Sequence, residues 1–120
     1  MRPHEKLKVW QWAVDLVVRI YKITALFPGE ERFGLTSQIR RAAVSIAANI
    51  AEGAGRDSPK EFAYFLSNVQ GSASELETEL LIAEKLGYLD DADYGVVRGN
   101  LDSLGRMIFG LSRSIKRTRT

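Results

Sequence analysis

Between positions 62 and 83 the apolar residues Phe62, Leu66, Val69, Ala73, Leu76, Leu80 and Ala83 succeed one another at alternating intervals of four and three. Side chains spaced in that way return to one narrow line on an α-helix, and no alternating strand pattern competes with it. The segment also carries its own start and stop. Ser58 provides an N-cap, Pro59 suits the first helical position, and Glu61 completes a capping box. Gly87 closes the other end, so the spacing predicts a helix over 59–86.

The same rhythm returns in Tyr94, Val97, Leu101, Leu104, Ile108, Leu111 and Ile115, with Asp90 or Asp91 as cap, which predicts a helix over 91–116 and a basic tail over 117–120. Two such seams joined by a short turn form a helical hairpin. Upstream, Pro28-Gly29 stops a helix over 7–27, and Gly53-Ala54-Gly55, where glycine can turn left-handed, stops a second over 36–52. At 120 residues the chain makes one domain, an all-α, antiparallel up-down four-helix bundle.

The first two helices are patterned differently. In the first, Lys8, Gln11, Asp15, Arg19 and Lys22 form a narrow polar stripe, and Trp10, Trp12, Val14, Val17, Val18 and Ile20 lie on the remaining surface. In the second, the polar stripe is Gln38, Arg41, Ser45, Asn49 and Glu52, and the rest is rich in alanine. Both read as helices with more than one buried side. One bundle core does not cover so much apolar surface, so the pattern predicts a homo-oligomer; the alternative is a lopsided monomer with both helices central.

The segment Leu35-Thr36-Ser37-Gln38-Ile39-Arg40-Arg41-Ala42-Ala43-Val44-Ser45-Ile46-Ala47-Ala48-Asn49-Ile50-Ala51-Glu52-Gly53, followed by Arg56, Glu61-Phe62 and Phe65-Leu66, resembles the signature of the 23S rRNA intervening-sequence proteins. The resemblance extends over the whole chain. It implies a bacterial protein, a small four-helix bundle, and assembly as a ring-shaped homopentamer. A related group serves as accessory protein to the reverse transcriptase of diversity-generating retroelements, where a basic pentamer engages nucleic acid and the polymerase; this chain is more similar to the first group. The resemblance gives weight to Arg40, Arg41, Asn49, Glu52 and Gly53 as structural motif residues. Arg40 and Arg41 read either as phosphate contacts or as ion-pair partners of Glu31, Asp90 or Asp93, the second being favoured. Asn49 is expected to hydrogen-bond across a helix contact or subunit boundary, and Glu52 with Arg56 to secure the turn after Gly53.

Catalytic chemistry finds little to build on. The chain has one histidine, His4, and no cysteine, so neither a di-metal carboxylate bundle site nor a thiolate site is expected, and no cofactor is implied. No nucleophile elbow, P-loop or dinucleotide glycine pattern occurs. Glu75, Glu77 and Glu79 read as a solvated acidic face, with Glu75 and Glu79 at the solvent edge of the seam. The expectation is a non-enzymatic protein. The N-terminal residues lack a signal-peptide core, and the most apolar stretch is interrupted by Asp15, Arg19 and Lys22, which predicts a cytoplasmic protein without a membrane span.

Charge is distributed unevenly. Residues 1–51 hold eight Lys and Arg against four Asp and Glu, residues 52–93 three against ten, and residues 94–120 six against one, giving +4, −7 and +5. In an up-down bundle Arg2, Lys6, Lys8, Arg56, Lys60, Arg113, Lys116, Arg117 and Arg119 converge at one end, partly offset by Glu5, Glu52, Asp57 and Glu61, while Glu30, Glu31, Glu84, Asp90, Asp91 and Asp93 gather at the other. A basic end repeated by ring symmetry suits RNA or DNA phosphates. The competing readings are a basic tail that serves solubility, and a protein-binding scaffold without nucleic-acid activity. No aromatic residue is expected to cluster with the tail, Trp10 and Trp12 being nearest and Trp10 assigned to the core.

Overall fold

Local backbone demands decide where each helix starts and stops in the computed structural model, which describes residues 1–118, without the side chain of Thr118. Arg119 and the end of the basic tail lie outside the described residues. A short 3-10 turn (Pro3–Lys6) leads into α1 (Lys8–Thr24), which ends three residues before the expected boundary. Thr24 is its last residue. Its hydroxyl donates to the Ile20 carbonyl at 2.7 Å, after which the backbone tightens to i→i−3 bonds at Leu26 and Phe27, and Pro28 lies just beyond. The intervening turn brings Phe27 into the core, its ring 5.7 Å from that of Tyr88.

A second 3-10 turn (Gly29–Glu31) precedes α2 (Leu35–Ala54). Glu31 caps this helix from a distance by accepting the Leu35 N–H on Oε1 at 3.1 Å. Its other oxygen accepts the Tyr88 hydroxyl at 3.1 Å, and that bond raises the tyrosine pKa. The left-handed glycine expected at 53–55 is not formed: α2 runs through Gly53, and Gly55 has φ −82°. Among the described residues only Gly87 has positive φ, at 81°, where it was expected, with the Tyr88 N–H reaching back to the Ala83 carbonyl at 2.9 Å. It closes α3 (Pro59–Lys85), whose start is capped by Ser58 accepting the Glu61 N–H at 3.0 Å. Asp90 caps α4 (Asp91–Thr118) by accepting the Asp93 N–H at 2.7 Å, and the helix runs past the predicted end at 116.

Each helix packs on its neighbours in sequence, α1 also touches α4, and among the described residues the backbones of diagonal helices stay apart. That closes an antiparallel four-helix bundle of 48 × 21 × 21 Å. Both predicted seams face inward, with Leu66, Val69, Leu76, Leu80, Val97, Leu104 and Ile108 almost fully enclosed. The α2–α3 contact is the most extensive, because Ala42, Ala43 and Gly53 let the backbones approach closely. Within one chain, however, α1 and α2 bury only one face each. Val9, Ala13, Leu16 and Ile20 are inside, whereas Trp12, Val18, Tyr21 and Val44 reach solvent. Trp10, Val14, Val17, Val18, Val44 and Ala48 line a shallow apolar groove between these two helices. Among the described residues no helix is long and apolar enough to cross a membrane.

Candidate nucleic-acid interface

The topology brings the start of α1, the α2–α3 turn and the last turns of α4 to one end of the rod. Arg56 and Ser58 from the turn share a groove with Phe62 and Ile115, and Arg113 and Lys116 face Ser67 and Gln70 of α3. Lys6, Lys8, Arg56, Lys60, Arg113, Lys116 and Arg117 are all exposed there. Arg56 is partly committed, pairing with Glu52 at 3.2 Å, as expected for this turn, and lying 4.9 Å from the Phe65 ring centre. Among the described residues no ion pair engages Lys6, Lys8, Lys60, Arg113 or Lys116. Carboxylates do not neutralise these cations through direct contact.

One aromatic side chain lies beside the cations of α4. Phe109, 60% exposed, lies one turn before Arg113, whose guanidinium is 5.8 Å from the ring centre. Tyr64, near the start of α3, is 64% exposed. The pairing of Phe109 with Arg113 was legible in the sequence: Phe109 falls off the seam marked by Ile108 and Leu111, and it precedes Arg113 by four residues, the spacing that puts side chains on one helical face. Trp12, by contrast, is anchored at mid-bundle, its indole N–H donating to the Asn100 carbonyl at 3.2 Å.

The motif residues of α2 play structural parts. Arg40 makes none of the expected ion pairs. Its Nε donates to Thr24 Oγ1 at 2.8 Å, Nη2 to the Tyr21 carbonyl at 3.3 Å, and the guanidinium lies 4.4 Å from the Tyr21 ring centre. It therefore places a cation at the negative end of α1, adding a donor to a Tyr21 carbonyl that already accepts the Ala25 N–H at 3.1 Å. Glu31, one of the three acids expected to receive it, is already occupied by the α2 cap and Tyr88. Arg41 is exposed and lines a groove with Gln38, Ser72 and Glu75, likewise without an ion pair among the described residues. Asn49 donates within α2 to the Ser45 carbonyl at 2.8 Å and to Ser45 Oγ at 3.0 Å, and Ser45 Oγ in turn hydrogen-bonds Ser72 Oγ at 2.8 Å. The helix crossing is made through Ser45.

Glu79 departs most from the sequence reading. It is 5% exposed, with Oε1 buried and unpartnered, whereas Glu75 is open to solvent. Burial, then the hydrogen bond and charge of neighbouring Glu75, push its pKa up to about 7. Glu77 instead forms a 3.2 Å ion pair with Arg98 that joins α3 to α4. Among the described residues no three His, Asp or Glu side chains converge as a metal site requires.

No curated protein matches the chain. A crystal structure of a protein with unknown function from the S23 ribosomal protein family of Bacteroides thetaiotaomicron is similar, with a TM-score of 0.78 and 23% identity, covering 87% of this chain and 97% of that one. At that identity the likeness establishes the fold, four helices in the same arrangement. The family model of the 23S rRNA-intervening sequence protein matches residues 5–110, from the turn before α1 to beyond Phe109, and the chain belongs to that family.

Proposed function

We propose that this chain is a non-enzymatic, self-associating bundle that binds RNA or DNA electrostatically through its basic end, as an accessory to a larger nucleoprotein assembly. The observation that carries the reading is the set of exposed cations at one end, Lys6, Lys8, Lys60, Arg113 and Lys116, without carboxylate partners among the described residues. Nucleic-acid phosphates supply the missing counter-charge and release condensed counterions on binding. Self-association rests on the apolar α1–α2 groove, where Val18 and Val44 reach solvent. A ring of copies, such as a homopentamer, repeats the basic end once per subunit and turns weak contacts into a multivalent surface.

The test is binding of labelled RNA and DNA across a salt series, beside a variant with Arg113, Lys116 and Arg117 changed to alanine. The expected result is affinity that falls steeply with salt, roughly 0.7 to 0.9 log units per log unit of salt for each phosphate neutralised, and that weakens in the variant. No binding at low salt overturns the reading in favour of a protein-binding scaffold.

A further inference from the structure

We infer that the groove between α3 and the last turns of α4 is a site for single-stranded nucleic acid, with a base stacked on Phe109 and the adjoining phosphates held by Arg113 and Lys116. The inference rests on the nucleic-acid reading above and specifies its ligand. Ser67, Gln70, Phe109, Ser112, Arg113 and Lys116 line a groove of about 380 Å³ in which, among the described residues, no carboxylate takes part. Phe109 is 60% exposed, so its side chain remains open to another surface, with the Arg113 guanidinium 5.8 Å from the ring centre. A lone exposed aromatic is ordinary on a helix. This one shares its groove with two cations and three neutral hydrogen-bonding side chains.

That combination matches how single strands are held: cations follow the backbone while aromatic rings receive base faces, which in a duplex are already covered by neighbouring bases. Arg113 and Lys116 are three residues apart on α4, so both heads lie along the same edge of the groove. Ser67, Gln70 and Ser112 offer donors and acceptors to base edges without demanding one base, so recognition is tolerant of sequence. The cations alone would suit the acidic end of a second copy as well as a phosphate; the exposed Phe109 ring beside them, which a base face fits, favours the nucleic acid.

The experiment measures fluorescence anisotropy of a labelled oligothymidylate of about 16 nucleotides, the upper site size of a single-strand-binding fold, and of a duplex of equal length. The proteins are the full chain, Phe109→Ala, Phe109→Trp, and the double variant Arg113→Ala with Lys116→Ala. Sedimentation of each variant is followed in parallel. Single strand is expected to bind more tightly than duplex. Phe109→Ala loses roughly five- to hundredfold of that affinity, the range for one stacked base, with an unchanged salt slope; Phe109→Trp retains it. The double cation variant flattens the slope by about 1.4, two contacts at about 0.7 each. If Phe109→Ala binds single strand as the parent does, or changes the sedimenting mass, or if duplex binds as well as single strand, the stacking site is overturned while electrostatic binding stands. If the parent chain binds neither at low salt, both readings fail.

Discussion

A β-carbon placed on Gly53 falls 2.8 Å from Cβ of Phe65 and 2.9 Å from Cδ1 of Phe62. Gly53 is therefore the point at which α2 presses its backbone against the first turns of α3, inside the helix and not at its cap. Substitution Gly53→Ala gains helix propensity of about 1 kcal/mol but must move Phe65 at its Cβ, which is fixed to the α3 backbone. Overpacking of this kind costs about 1 to 3 kcal/mol. Because the clashing Cβ cannot move without its backbone, the cost falls at about 2 to 3 kcal/mol of that range, and the net expectation is a loss of about 1 to 2 kcal/mol, read as a lower urea midpoint at unchanged slope. A variant as stable as the parent shows that α3 shifts freely, contrary to the packing described.

Glu79 gives the bundle a pH dependence of definite sign. Unfolded, its carboxyl loses the proton near 4.5; folded, burial and Glu75 hold the proton up to about 7. Between those values the folded state binds the extra proton, so the contribution of Glu79 to stability falls as pH rises through this window and is level above it. Glu79→Gln keeps the neutral shape and does not titrate. Its stability relative to the parent should rise between pH 4.5 and 7, the window set by the two values, by on the order of 2 to 3 kcal/mol. Equal differences at both ends of a urea-denaturation series would show that Glu79 ionises in the folded state as it does in water.

Arg40 ties α2 to the end of α1 through Thr24, the Tyr21 carbonyl and the Tyr21 ring. Lysine keeps the charge but loses the planar fork and the Nε donor. Arg40→Lys should cost about 1 kcal/mol and Arg40→Ala about 2, in line with hydrogen bonds to a charged donor. Nucleic-acid affinity should not change in either, since this end of the rod is the acidic one. A variant that binds less tightly while remaining as stable assigns Arg40 to phosphate contact instead.

The seams of α3 and α4 were legible because a 3.5-residue spacing has one geometric outcome and Ser58-Pro59 marks where it begins. The end of α2 was not, since glycine serves equally for a left-handed cap and for close approach of two backbones, and only the position of Phe65 separates the two. Glu79 was hidden for a related reason. It stands three residues after Leu76, at the margin of the seam, a position that spacing alone leaves between core and solvent. The convergence of Arg56, Lys60, Arg113 and Lys116 followed from topology and charge alone. Phe109 lies off the Ile108 and Leu111 seam, where a lone exposed aromatic is ordinary, and only the groove it shares with Arg113 and Lys116 marks it out.

Val18 and Val44 test self-association without disturbing the core. They are 48% and 42% exposed and face the same apolar groove, so a charged side chain at either reaches water in a single chain. Glutamate also forms helix better than valine, which makes a loss of folding an unsuitable explanation for any change. In an interface the same charges are desolvated without partners, at a cost of several kcal/mol per ion. The variant Val18→Glu with Val44→Glu should therefore sediment as a single chain of 13.4 kDa with undiminished helicity, while the parent sediments as a multiple of that mass. Because avidity depends on repeating the basic end, the same variant should also bind an oligonucleotide more weakly, although it alters no residue of the basic end. A parent that already sediments as a single chain removes self-association from the proposed function and leaves the exposed valines as ordinary surface.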